Sequence, residues 1–239
     1  MKKLFFTTLI ALMTFQSYSQ ELKRFYVDET YKEITFQKFN KKVESRLFYT
    51  VIVKNDTAVV KKLRFKEFFG HLDIKKKQLN KLFNKRFGID STKIWLIHYM
   101  DSLPDVTKLA KKSGVIFLDS SKRRHKHVIS YLDYKKIIPR ETRKYRKLKE
   151  VSLLHFYNFN KGYLQEDIEL EKWYRDSNLI LKNIFTDGMK MYKTIVIHPN
   201  GKFYVRIVRK LFSKERKLLK YESFNRQEKK WRKKLERYN

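Results

Sequence analysis

The sequence predicts an α/β domain: a central sheet flanked by helices, with an N-terminal α+β extension. Three observations predict it. Val151-Ser152-Leu153-Leu154-His155-Phe156-Tyr157 and Thr194-Ile195-Val196-Ile197-His198 are short, apolar and β-favouring, the pattern of strands buried on both faces. Between them, Leu170, Trp173, Ser177, Ile180 or Leu181, and Ile184 recur at helical spacing from Glu166 to Phe185, ahead of Asp187-Gly188 as a stop. After them, Pro199 presets φ while Asn200 and Gly201 tolerate left-handed backbone, so Lys202 to Ile207 folds back as an antiparallel strand.

Met1 to Ser19 pairs Lys2 and Lys3 with an apolar run from Leu4 to Phe15 and small residues at Ser17 and Ser19. This is the layout of a secretory signal peptide cleaved after Ser19; a buried first helix is the alternative. The expected location is periplasmic or extracellular. No later window approaches the roughly 20 apolar residues a membrane span needs, so no transmembrane segment is expected in the mature chain.

Residues 20–92 read as the extension. Phe25-Tyr26-Val27 is a short strand, and Thr35 caps a helix over Phe36 to Val43. Leu47 to Val53 and Thr57 to Phe65 form a hairpin around Lys54-Asn55-Asp56, and Asp73 caps a helix over Ile74 to Phe87 that stops at Gly88. Such a module lengthens the sheet or covers one face.

Residues 93–239 read as the main domain. Lys93 to Tyr99 is a buried strand, Ser102-Leu103-Pro104-Asp105 a turn, and Val115 to Leu118 a weak strand before a basic loop from Asp119 to His127. Val128, Tyr131, Leu132, Ile138, Tyr145 and Leu148 fit a helical face that Pro139 kinks or restarts. Asp176-Ser177-Asn178 marks a break that could divide the next helical stretch in two. Ser213 to Tyr238 is helical again.

From Lys93 the order is strand, kinked helix, strand, helix, strand, hairpin strand, helix. With Pro139 and His198-Pro199-Asn200-Gly201-Lys202, it resembles the thioredoxin-like fold of periplasmic thiol-disulfide reductases and redoxins. The resemblance implies a Cys-x-x-Cys at the start of the kinked helix, where this chain has Tyr131-Leu132-Asp133-Tyr134. It also implies a cis-proline before the hairpin, where this chain has Tyr192-Lys193-Thr194. The chain contains no cysteine, so thiol-disulfide exchange is excluded and the implied site is degenerate at Tyr131, Asp133 and Tyr134. Without disulfides, stability must come from packing, for which 42% hydrophobic residues suffice.

The formal net charge is +32, which favours anionic partners: an envelope polymer such as lipopolysaccharide, an acidic glycan, lipid or an acidic protein surface. A solvated, lysine-rich surface is the bland alternative. Lys122-Arg123-Arg124-His125-Lys126-His127, the stretch from Lys135 to Lys149 and the last helix carry the basic clusters. That helix spaces Tyr221, Phe224, Trp231, Leu235 and Tyr238 as an apolar stripe, which packs on the domain or lies on an anionic membrane. The export signal and the lack of a recognisable motif disfavour nucleic acid.

The function expected is therefore non-enzymatic: an exported, non-redox binding module with a basic surface. The alternative is a metal-dependent or hydrolytic enzyme using His98, His155 and His198, or Asp119-Ser120-Ser121 with His125. No cofactor or metal ligand set is assigned. No nucleophile elbow surrounds either serine, and no glycine-rich phosphate loop occurs among only six glycines.

Overall fold

The computed structural model describes residues 22–117, 125–185, 193–207 and 215–238. The signal-peptide reading, Asp119-Ser120-Ser121 and Lys122-Arg123-Arg124 lie outside them. The architecture is mixed α/β, and the chain divides into two compact units, Met1–Phe65 and Lys66–Asn239.

The first unit is a three-stranded mixed sheet with one helix. Strand β1 (Lys23–Val27) runs parallel to β3 (Ala58–Phe65), and β2 (Phe48–Lys54) pairs antiparallel to the other side of β3. The β2–β3 hairpin closes as predicted, because Asn55 Oδ1 accepts the amides of Thr57 and Ala58. Helix α1 (Phe36–Glu44) starts where Thr35 accepts the Lys38 amide. It lays Phe36 and Phe39 against Tyr26 and carries the buried Lys42, whose ammonium meets Glu29 at 2.8 Å. Leu63, fully buried, Phe48 and Phe65 complete that face.

The second unit is organised on a six-stranded sheet. Its strands are β4 (Glu67–His71), β5 (Ile94–Leu103), β8 (Val151–Asn160), β9 (Trp173–Arg175), β10 (Lys193–Ile197) and β11 (Lys202–Ile207). Their order is β4-β11-β10-β5-β8-β9. β5 runs parallel to β8 and β8 to β9, while β10 pairs antiparallel to both β5 and β11. β8 and β10 are thus not neighbours but flank β5. The predicted hairpin is present, with Gly201 at φ 92 in the turn.

Several expectations need correction. The stretch from Glu166 to Phe185 forms two short helices, the divided alternative, but with a strand between them that was not expected. It comprises α4 (Gln165–Leu170), strand β9 and α5 (Ile180–Phe185). Trp173 therefore faces the sheet from a strand; a three-residue edge strand is too short to give an alternating signature. Asp176 is more than a break: its carboxylate accepts the amides of Ile180 and Lys182, capping α5. A second hairpin, β6 (Gly114–Phe117) with β7 (His125–Val128), brings His125, Lys126 and His127 into a strand rather than the predicted loop. Helix α2 (Asp73–Phe87) is entered through Leu72 instead of being capped by Asp73, and ends at Gly88 with φ 63, as predicted. α2, assigned from sequence to the 20–92 extension, and β4, a strand not read from the sequence, lie in this second unit.

One face of the sheet meets α2 and α5. Trp95, Ile97 and Tyr99 of β5, Leu154 and Phe156 of β8, and Ile195 and Ile197 of β10 pack there with Leu79, Phe83, Leu181 and Phe185. Phe83 stacks on Trp95 at 5.0 Å and on Phe156 at 5.3 Å. Gly70 on β4 leaves room for the Phe203 ring opposite it, which a Cβ there would meet at 2.3 Å unless the ring shifted. On the other face α6 (Tyr221–Glu236) packs the middle of its stripe inward, while Tyr221 stays exposed: Phe224 and Trp231 are buried on Phe69, and the Trp231 indole donates to the Glu67 carbonyl at 3.1 Å. Among the described residues no helix is long and apolar enough to cross a membrane.

Candidate functional site

Ligands of open α/β sheets gather beyond the carboxyl ends of the parallel strands. Here those ends are Asp101 to Leu103 on β5 and Tyr157 to Asn160 on β8, reached by helix α3 (Tyr131–Thr142), which carries Pro139 in its interior. Its first turn is the Tyr131-Leu132-Asp133-Tyr134 position. Ser130 caps it, accepting the Asp133 amide at 3.2 Å, while Asp133 Oδ2 accepts hydroxyl protons from Ser130 and Ser113. Those two hydroxyls hold the Asp133 carboxyl below its ordinary range.

Tyr131 and Tyr134 turn inward. The Tyr131 hydroxyl donates to Asp167 Oδ2, and Lys135 meets Asp167 Oδ1 at 2.5 Å. Burial pushes the Asp167 carboxyl up, while the adjacent ammonium favours its ionised form. The Tyr134 hydroxyl approaches Met100 Sδ at 3.6 Å, and both tyrosine rings meet Tyr163 edge-on. One turn further along α4, the buried Glu171 accepts from Tyr163 and from the Trp173 indole, at 3.2 and 2.7 Å. Burial raises the Glu171 carboxyl, and these two donors work against that. The corner is a network of tyrosines and carboxylates tying α3 to α4, with no thiol chemistry open to it.

The strand histidines pair as their register dictates. His98 and His155 lie opposite each other on β5 and β8, with their Nδ1 atoms 3.3 Å apart, so one ring donates to the other. Both are buried and pack against Trp173. Burial, then His155, holds His98 well below its ordinary value; burial, then Arg146, pulls His155 down to about 3. Both rings are neutral at pH 7. His198 stands apart on the α6 side of the sheet, where its Nε2 bonds the Leu218 carbonyl at 2.8 Å. Among the described residues no three His, Cys, Asp or Glu converge as a metal site.

The histidine pair has a measurable consequence. Below about pH 6.5 the unfolded chain protonates both imidazoles, but the folded chain does not until far lower pH. Stability should therefore fall as pH drops below 6.5, by up to about 1.4 kcal/mol per pH unit for each ring while it stays neutral in the folded chain. In urea unfolding followed over that range, His155→Leu should shed about half of this slope; an unchanged slope would refute the assignment.

Sequence reasoning missed a second cluster. Lys193, the first residue of β10, is fully buried opposite Tyr99, near Asp101 and Lys182. Lys182 pairs with Asp101 at 2.8 Å. Burial lowers Lys193 to about 7, with Asp101 opposing and Lys182 reinforcing the shift. A single lysine before a β-run gives no sign of burial; only the β5–β10 register places it inside.

The remaining basic residues are largely outward. Lys136, Arg140, Arg143, Lys144, Arg146, Lys147 and Lys149 are all exposed along α3 and the connection to β8, as are Lys229, Lys230, Arg232, Lys233 and Lys234 on α6. For Lys122 to His127 the structure supplies only the β7 backbone. No family model, curated protein or solved structure matches this chain.

Proposed function

We propose that this protein is an exported, non-redox member of the thioredoxin-like group that binds an anionic envelope partner through its basic surface. The observation that carries the reading is the set of exposed cations Lys136, Arg140, Arg143, Lys144, Arg146, Lys147 and Lys149, close together on a chain whose formal charge is +32. Such a surface concentrates polyanions by releasing their counterions. The kinship draws support from the neighbouring strands β8-β5-β10-β11, which share one sheet with β8 in its interior, and from the proline-bearing helix between β5 and β8. Burial of Phe224 and Trp231 of α6 argues for a protein or glycan partner over insertion of that helix into a membrane.

Heparin and lipopolysaccharide are suitable probes. Affinity should fall steeply between low and physiological salt, and an Arg143→Gln, Lys144→Gln, Arg146→Gln, Lys147→Gln variant should bind roughly tenfold or more weakly at low salt. Undetectable or salt-insensitive binding would refute the proposal.

A further inference from the structure

The turn between β2 and β3 carries the chain's one Asn-x-Ser/Thr sequence, Asn55-Asp56-Thr57, and all three residues are exposed. The asparagine sets the conformation of the turn. Its Oδ1 accepts the Thr57 hydroxyl at 3.2 Å, the Thr57 amide at 3.1 Å and the Ala58 amide at 2.7 Å. Its Nδ2 donates to no group among the described residues, so the amide nitrogen faces water and any incoming reagent. Three donors on one carbonyl oxygen stabilise negative charge on that oxygen, which makes the Nδ2 protons more acidic. Asn-x-Ser/Thr on a surface turn is the acceptor pattern for an N-linked saccharide in exported chains.

The strand leading into this turn supplies an independent reason for a bulky polar group there. β2 lies at the edge of its sheet and pairs only with β3 among the described residues. From Phe48 to Val53 it carries neither a charge nor a proline, although Lys and Arg make up 57 of the 239 residues of the chain. Ile52 and Val53, 61% and 59% exposed, stand on opposite faces of the strand just before the turn, and Lys54 follows them as its last residue. An uncharged edge strand of β-favouring residues pairs with other chains unless charge, proline, a bulge or a cover prevents it.

We infer that Asn55 is a site of N-glycosylation and that the saccharide covers the β2 edge. The site rests on the export proposed above, since the acceptor pattern is used in exported chains. In the transfer, Nδ2 forms a bond to the anomeric carbon of a saccharide carried on a lipid pyrophosphate. The bond from that carbon to the phosphate oxygen breaks, the pyrophosphate leaves with the electron pair, and a base of the transferase takes the Nδ2 proton. The attached saccharide stands at the end of the strand, beside Ile52 and Val53.

The test uses the full-length precursor, exported by its own cells, purified, and measured by intact mass and by mass spectrometry of its glycopeptides. The expected result is a chain beginning at Gln20 whose mass exceeds that of its residues by a saccharide located on Asn55. Asn55→Asp, whose carboxylate accepts the same three hydrogen bonds, and Thr57→Ala should both lose the added mass, whereas Thr57→Ser should keep it. In sedimentation at equal concentration the Asn55→Asp protein should form a larger species than the glycosylated one, and adding Ile52→Lys should return it to the smaller size. A chain that begins at Gln20 with Asn55 unmodified overturns the inference and leaves the export standing. A chain that retains Met1 with Asn55 unmodified overturns both. A saccharide on the Thr57 hydroxyl overturns the assignment to the amide. If Asn55 is modified but the Asn55→Asp protein does not self-associate, the site is upheld and the shielding of β2 is overturned.

Discussion

Replacing Lys193 with methionine should raise stability at pH 7 by a few kcal/mol, because each unit by which burial depresses the pKa of this amine costs the folded state about 1.4 kcal/mol. The folded chain holds this amine at about 7, against an ordinary value of 10.5. Between those values the unfolded chain binds more protons than the folded one, so stability must rise with pH across that window. The destabilisation is fully present below about pH 7 and disappears above about 10.5. Lys193→Met removes it at neutral pH and should flatten the rise, while Asp101 retains Lys182 as its partner. Chemical unfolding at pH 7, 8.5 and 10 measures both effects. A destabilised variant with an unaltered pH slope would mean that Lys193 is an ionised member of a favourable buried pair.

The second large effect concerns where the folding unit begins. A chain starting at Lys66 should fold cooperatively, whereas one starting at Lys93 should not. Starting at Lys93 removes β4, which completes the edge of the sheet beside β11 and places Phe69 beneath Phe224 and Trp231. It also removes α2, whose Leu79 and Phe83 cover Trp95 and Phe156. Within the intact chain, Phe83→Ala should cost about 3–5 kcal/mol, because the ring is almost wholly buried between two other aromatics and the site cannot collapse around so large a void. Circular dichroism and thermal unfolding of the two truncated chains decide the point. A cooperative transition in the chain that starts at Lys93 would show that β4 and α2 are dispensable.

The candidate site was legible in part. Apolar runs place Tyr131, Asp133 and Tyr134 in a helical stretch and His98 and His155 on strands; the choice of Tyr131 to Tyr134 as a site and the adjacency of the two strands were implied only by the resemblance. What these side chains touch does not follow. Asp167 and Glu171 look like surface carboxylates on a short polar helix, yet both are buried because Tyr131, Lys135, Tyr163 and Trp173 reach them from elsewhere in the chain. The burial of Lys193 is equally invisible in one dimension.

By itself the sequence determined that no disulfide or thiol chemistry is possible, that the surface is strongly basic, and that strands, helix ends and hairpin turns fall near Thr35, Asn55, Gly88 and Gly201. These are local properties, written in composition, periodicity and backbone preference over a few residues. The tertiary structure alone decided that β4 joins the large sheet and α2 covers it, that β9 interrupts the helical stretch after β8, and which charged groups lose their water. Strand order, register and desolvation depend on which distant segments meet, and that is settled by the packing free energy of the whole domain.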